Sequence, residues 1–275
     1  MATFLFWNIN GNNVIDDIVT ACHDNSVDIL ILAECKISEV SLLEALNKGR
    51  RRTYLSPFNP SPKLSFFIRY PDDSVQLVYD SGGVSIRNII PPVGLDVLLV
   101  AVHLPSKLHM KENEQAFQSA RVSKAIEEAE ASVGHENSLV IGDFNMNPFE
   151  TGIVAADGFH AVMDKQIALK KARTVQGEKR KFFYNPMWSR LGDTSVGPAG
   201  TYYYSGGHVS YFWNTFDQVL LRPSLLQYFS TDQLTVLDSI DGKSLMSSRI
   251  IDASISDHLP VLLTLHIERG VRHAI

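Results

Sequence analysis

Residues 139–145 read Leu139-Val140-Ile141-Gly142-Asp143-Phe144-Asn145. A short apolar run, a glycine, then an acid and an amide two positions apart predict a buried strand that ends in polar chemistry. On extended backbone residues i and i+2 share a face, so Asp143 and Asn145 aim at one point. A single acid after a strand is usually a turn former or a helix cap. Here the arrangement recurs along the chain. The strand candidate Thr3–Ile9 runs into Asn8, Asn10 and Gly11. Asp28–Ala33 is followed by Glu34, and Val97–Val102 by His103. Thr215–Leu221 carries Asp217, and Pro260–Ile267 is preceded by Ser256-Asp257-His258.

Helical spacing appears between these strands. Val14, Ile15, Ile18, Val19 and Cys22 share one face, and a second helix is predicted over Ser38–Lys48 with Leu42, Leu43 and Leu46 inward. A third covers Glu112–Val133, where Gly134 ends the element. Leu64–Val102, punctuated by Pro71, Gly82-Gly83 and Pro91-Pro92, predicts short antiparallel strands and hairpins. The stretch 146–200 reads as irregular. No repeat or low-complexity linker divides the chain. The expected fold class is α/β (α+β): two mostly antiparallel β-sheets packed face to face with helices outside, in a single domain over residues 1–275.

The 275 residues are 45% hydrophobic and 20% charged, which excludes a disordered or collagen-like chain. The longest apolar run, Val97–Val102, falls far short of the roughly 20 residues of a spanning helix. No basic stretch precedes an apolar one at the start, so no secretory signal is expected. Cys22 and Cys35 read as buried thiols in a reducing, cytoplasmic compartment. The net charge of −5 conceals a contrast. Lys165–Lys181 holds seven basic residues and one acid, so the segment is +6 and the remainder −11. An acidic body with one basic segment suits a site that holds cations beside something that holds phosphate; a solvated loop accounts for the charge equally well.

If the strands are neighbours, their ends converge and several carboxylates share one small volume. Like charges so packed repel and raise each other's pKa unless a cation is present. Oxygen donors with few histidines and no cysteine cluster point to Mg²⁺, with Mn²⁺ as its substitute, rather than Zn²⁺.

Six segments then carry a resemblance: Trp7-Asn8-Ile9-Asn10-Gly11, Ala33-Glu34-Cys35-Lys36, Val102-His103-Leu104, Gly142-Asp143-Phe144-Asn145, Phe216-Asp217-Gln218-Val219 and Ser256-Asp257-His258-Leu259-Pro260-Val261. In order and at domain-scale spacing, they resemble the motifs of the endonuclease/exonuclease/phosphatase superfamily. The resemblance implies a four-layered α/β sandwich and metal-dependent hydrolysis of phosphoric esters. It implies Glu34 as metal ligand, with Asn8 placing the ion or contacting a phosphate oxygen and Asp257 as a second metal ligand or the carboxylate that orients the histidine. Asp143 would orient and deprotonate the attacking water, and Asn145 would donate to phosphoryl oxygens. Asp217 is expected to pair with His258, whose imidazolium would neutralise transition-state charge. His103 would contact phosphate or protonate the leaving oxygen. Asn10 stands where many relatives have Asp; it reads as a substrate contact or as a turn residue before Gly11. His109, His135, His160, His208 and His266 match no motif and read as ordinary surface or strand histidines.

Tyr202-Tyr203-Tyr204, Tyr211-Phe212-Trp213 and Phe182-Phe183-Tyr184 with Trp188 flank the basic segment, in which Lys170, Lys171 and Lys181 are the candidate phosphate contacts. Aromatics beside cations can stack bases while the cations hold the backbone; core packing is the other account of them. Lys48-Gly49-Arg50-Arg51-Arg52 would extend a phosphate track or end a solvated helix. The first reading is an intracellular nuclease hydrolysing DNA or RNA, of compact build, suited to work with partner proteins in a larger complex and without membrane contact. The alternative is a phosphomonoesterase acting on inositol phosphates or phosphoinositides, since a basic loop would also hold a multiply phosphorylated ring. A non-catalytic phosphate-ligand binding module with the same fold is the third. The complete set of Glu34, Asp143, Asn145, Asp217, Asp257 and His258 speaks against it.

Overall fold

The computed structural model describes residues 1–51, 53–194, 196–208 and 210–267; Arg52, the last residue of the second basic cluster, lies outside them. Strands β1 (Ala2–Asn8) and β2 (Ile29–Ala33) are buried at every position, as strands covered on both faces must be. They pair in parallel, so the chain crosses over between them through α1 (Ile15–Asp24). Helix α2 (Glu39–Asn47) buries Leu42 and Leu46, and β3 (Leu64–Ile68) returns antiparallel to β2. Strands β4 (Val75–Ser81), β5 (Val84–Ile89) and β6 (Val97–His103) form the predicted antiparallel meander. Helix α3 (Glu112–Val133) then leads to β7 (Ser138–Asp143), parallel to β6, and Gly134 ends the helix in the left-handed conformation at φ +78°.

The stretch that reads as irregular holds short ordered pieces: α4 (Thr151–Val154), β8 (Ala161–Val162), α5 (Lys165–Ala168), the hairpin β9 (Ala172–Val175) and β10 (Glu178–Lys181), and β11 (Phe183–Tyr184). Each is shorter than one hydrophobic period can reveal. After them come the ribbon β12 (Tyr202–Tyr204) and β13 (Phe212–Asn214), then β14 (Asp217–Leu221) and β15 (Leu234–Val236). Two small ribbons, β16 (Ser239–Ile240) with β17 (Lys243–Ser244) and β18 (Met246–Ser247) with β19 (Ile250–Ile251), precede β20 (Val261–Leu265).

Two sheets result, one ordered β15-β20-β1-β2-β3 and the other β4-β5-β6-β7-β14-β11-β8. Pairing in both is antiparallel except at β1–β2, β6–β7 and β8–β11. The strand period sorts the second sheet's side chains. Leu99, Ala101, Leu139, Ile141, Val219 and Leu221 join the core that contains Phe4 and Phe6 of the first sheet. Their neighbours Leu98, Val100, Val102, Val140 and Leu220 pack with Val122 and Ile126 of α3. The layers are thus α1 with α2, the five-stranded sheet, the seven-stranded sheet, and α3, as expected. Among the described residues, no helix is long and apolar enough to cross a membrane.

The end of α3 closes over a buried charged knot. Glu130 receives Arg222 Nε at 2.7 Å, Ser138 Oγ at 2.7 Å and Lys181 Nζ at 2.9 Å. The Arg222 guanidinium lies 3.9 Å from the Phe183 ring centroid. Burial pushes the Glu130 pKa up, but Arg222, Lys181 and Ser138 outweigh it and leave the carboxyl below its ordinary value. A depressed carboxyl contributes stability that is present above its unfolded pKa and lost as pH falls through the folded one. Glu130→Gln strands Arg222 in the core and should cost about 3–5 kcal/mol, read as a lower urea midpoint at neutral pH. The gap between variant and wild type should narrow on acidification; a gap independent of pH contradicts the ionised state assigned to Glu130.

Candidate active site

Strand pairing places three of the predicted residues on one row. His103 pairs with Asp143 across β6–β7, and Asp143 with Asp217 across β7–β14. Adjacent strands lie about 4.8 Å apart, so neighbouring side chains on this row meet. From the facing sheet, Asn8 closes β1 opposite Ala33, and Glu34 follows at once. Gly142 is required for the row to form: its φ is +150°, and a Cβ there would run into the Val102 carbonyl of β6. Glu34, Asn10 and Asn145 also sit at positive φ, +52°, +48° and +51°, so three non-glycine residues here adopt the uncommon left-handed conformation.

Asp143 is fully buried and held from several sides. Its Oδ1 accepts the Asn145 backbone N–H at 2.8 Å, and its Oδ2 accepts from the Asn145 and Asn8 amides at 3.1 and 3.2 Å. Burial, with Asp217 nearby, raises its pKa against the pull of His258 and His103. A carboxylate whose basicity is raised is a better proton acceptor. The second Asn145 amide hydrogen goes to the Leu104 carbonyl at 2.9 Å. Both its donors are therefore spent on the protein, and Asn145 orients Asp143 in this state.

His258 Nδ1 bonds Asp217 Oδ2 at 2.8 Å, and its Nε2 lies 4.0 Å from Asp143 Oδ2. Burial works against the charged ring, but Asp217 and Asp143 prevail and lift its pKa to about 10. Several further groups fix this ring. Ser256 Oγ donates to the Asn8 carbonyl at 2.7 Å and accepts the His258 N–H at 3.1 Å, which ties the late motif to β1. Trp7 Nε1 donates to the His258 carbonyl at 2.9 Å, and Tyr202 packs on the imidazole at 4.7 Å between centroids. Gln115 of α3 donates to both the Pro105 and Asn145 carbonyls at 3.1 Å, joining the loops after His103 and Asp143. Ser256 and Trp7 stand in the segments that carry the resemblance and Tyr202 in the aromatic run after the basic segment, whereas Gln115 has no sequence signal.

Glu34 accepts from Asn8 at 3.2 Å and faces His103 Nε2 at 3.4 Å. The His103 bond, outweighing partial burial and helped by Asn8, lowers its pKa to about 2. Asp257 is half-buried with Oδ1 unpartnered, and burial together with Glu34 and Asp143 raises its pKa in spite of His258. An orphaned carboxylate oxygen beside further carboxylates fits a hard divalent cation, with donors from Glu34, Asp257 and Asn8. Asp143, Asp217 and His258 also bring ligand atoms within 4.8 Å of one another. Of these, Asp217 and His258 are bonded to each other at 2.8 Å.

Glu34, His103, Asp143, Asn145, Asp257 and His258 line one cavity of about 710 Å³. Tyr204 and Tyr211, 53% and 61% exposed, form its rim with Lys63, Lys107 and His109, so one of the histidines read as ordinary faces the site. Asn10 is exposed and does not line the cavity; its N–H donates to Asn8 Oδ1 at 3.1 Å, the turn role. The structure does not bring Lys170, Lys171 and Lys181 to the site. Tyr184 of β11 pairs with Leu221, at the opposite end of β14 from Asp217, and the basic segment precedes β11. Lys181 is engaged by Glu130 and Glu136, each at 2.9 Å. Phe182, Phe183 and Tyr184 are core.

A four-layered sandwich whose two sheets meet in acids, amides and a charged histidine at one rim belongs to the phosphoesterase hydrolases. The model of the Endonuclease/Exonuclease/phosphatase family matches residues 5–258, and the chain belongs to that family. No curated protein matches it. Among solved structures it is similar to an endonuclease/exonuclease/phosphatase family protein from Leptotrichia buccalis C-1013-b (14% identity, 96% of this chain and 99% of that one, TM-score 0.56). It is similar also to the 3′ phosphatase NExo from Neisseria bound to product DNA hairpin (15%, 96% and 99%, 0.52) and to an AP endonuclease from Archaeoglobus fulgidus (13%, 96% and 99%, 0.54). At these identities the likeness establishes the fold.

The Asp217–His258 pair makes a prediction separate from turnover. In metal-free Asp217→Asn, the His258 pKa, followed by NMR of ¹⁵N-labelled histidine, should fall from about 10 toward the ordinary imidazole value. An unmoved titration would mean that Asp217 does not hold the charge.

Proposed function

We propose that this chain is a Mg²⁺-dependent phosphodiesterase that hydrolyses nucleic acid, with water activated by Asp143. The observation that carries the reading is the convergence of buried Asp143, the His258–Asp217 pair and exposed Tyr204 and Tyr211 on one cavity. Asp143 takes a proton from water as the oxygen bonds phosphorus. Asn8 and Asn145 hold the carboxylate in aim. The His258 imidazolium presents Nε2 to the phosphoryl oxygens and offsets their growing charge. As the bond to the leaving oxygen breaks, that oxygen takes its proton from His103. A cation held by Glu34, Asp257 and Asn8 would supply Lewis-acid stabilisation of the phosphoryl group.

The rim favours a base-bearing ester. Tyrosine faces stack bases at about 1–3 kcal/mol each and tolerate any sequence. A multiply phosphorylated ring needs several cations, and the lysines lining the cavity are Lys63 and Lys107. Lys107 is already bonded to Glu150 at 2.5 Å. The 3′ phosphatase named above, bound to product DNA hairpin, shares the fold, in keeping with a base-bearing ester.

Turnover of bis-p-nitrophenyl phosphate should require Mg²⁺ or Mn²⁺ and stop with EDTA, and Asp143→Asn should lower kcat by about 10²–10⁴. A folded wild type without metal-dependent turnover of any phosphate ester would instead be a binding module. A labelled oligonucleotide should be shortened while inositol phosphates release no phosphate; the opposite result reverses the substrate assignment.

A further inference from the structure

The basic segment that the catalytic cavity does not use builds a second concavity. A pocket of about 380 Å³ opens at the other end of the seven-stranded sheet, lined by Lys165, Lys171, Lys181, Arg222, Glu136 and, on its apolar side, Leu169 with Pro223 and Leu226. It lies beyond Leu221, and β14 alone spans about 14 Å between Asp217 and that residue. The two cavities share no lining residue.

The charges of this pocket do not cancel. Arg222 and Lys181 form its floor and are matched by Glu130 and Glu136. Lys165 and Lys171 have no carboxylate within ion-pair distance among the described residues, and the nearby Asp164 carboxylate is turned to the Ile167 N–H at 2.8 Å. Lys165 and Lys171 are therefore left without a counter-ion in a lining whose carboxylate, Glu136, is already bonded to Lys181. The Lys171 backbone sits in the left-handed region at φ +68°, fixed by Lys171 N–H to the Ala168 carbonyl and Phe182 N–H to the Lys171 carbonyl, both 2.8 Å. A non-glycine residue kept in that conformation marks a placement that the surroundings over-determine. Outside the pocket, exposed Lys179 lies two residues from Lys181 on the same face of β10, about 7 Å further along.

We infer that this pocket is a second, non-catalytic binding site for a phosphate group, held by Lys165 and Lys171 over the Lys181–Arg222 floor. The inference goes beyond the reading of the catalytic cavity and does not depend on it. Ammonium groups suit phosphate as point charges with three donors each, and the Leu169–Leu226 wall accepts the apolar part of whatever bears it. The phosphate could come from a free phosphorylated small molecule or from the end of a polynucleotide; Lys179 extends the positive surface for the latter.

The probe is pyrophosphate, titrated calorimetrically into the full chain in EDTA so that no metal recruits it to the catalytic cavity. One molecule should bind wild type and Asp143→Asn alike, and Lys165→Glu/Lys171→Glu should weaken it at least about tenfold, since two charged hydrogen bonds give way to like-charge repulsion. Unfolding midpoints of the variants establish that they fold, and Lys165→Gln/Lys171→Gln should give a smaller loss in the same direction. A 5′-phosphorylated dodecanucleotide that displaces pyrophosphate assigns the site to a strand end; a retained pyrophosphate assigns it to a free phosphorylated compound. No binding in EDTA, or equal binding by the folded Lys165→Glu/Lys171→Glu variant, overturns the site.

Discussion

Register between three strands governs this protein's chemistry. His103, Asp143 and Asp217 occupy one row of β6, β7 and β14, and side chains on a strand alternate between faces. A slip of one residue in β7 would send Asp143 to the other face and break the row. The buried pattern prevents such a slip, because Leu139 and Ile141 are committed to the core between the sheets and Val140 to α3. Hydrophobic sorting thereby fixes the position of a buried carboxylate. Gly142 completes the constraint, since only a residue without Cβ lets β7 pass the Val102 carbonyl.

Once the row exists, electrostatics sets its state. Asp143 and Asp217 are buried beside one imidazole, and the ring responds by staying charged far above its ordinary range. That charge serves Asp217 through a 2.8 Å bond and still leaves Nε2 toward the cavity. Glu34 is held ionised by His103, whereas Asp257 is pushed the other way by burial and its acidic neighbours. The orphaned Asp257 oxygen and the carboxylates around it are what a hard cation would relieve. In the proposed function the His258–Asp217 pair and the Glu34–Asp257 side divide two tasks: one stores positive charge in the protein, the other leaves oxygens for positive charge from outside.

Much of this was legible in the amino-acid order. Runs such as Ile29–Ala33 and Val97–Val102 permit little except buried strands, and the polar residues that end them are those that meet. Helix α3 was legible to its ends because 22 residues repeat its period several times. The course of residues 146–200 was not. Adjacency in sequence joined the aromatics to Lys170, Lys171 and Lys181, but β11 runs antiparallel to β14 and carries the chain from the basic end back toward the site. Trp188 thus reaches Phe149, which touches Tyr211 at the cavity rim, while Lys181 stays behind at Glu130. Two-residue strands such as β8 and β11 have no readable period, and which sheet edge they join depends on distant partners. Asn10 illustrates a finer limit: its spacing from Asn8 suggests a shared target, yet its left-handed backbone turns it away from the cavity.

In the proposed function the converging strand ends hold a cation beside Glu34 while His258 and Asp217 remain bonded. Anomalous diffraction from crystals soaked in Mn²⁺ tests it directly. The expected result is a peak held by Glu34 with oxygens of Asp257 and Asn8 around it, and an intact His258–Asp217 contact. A peak bridging Asp217 and His258, or none beside Glu34, would contradict it.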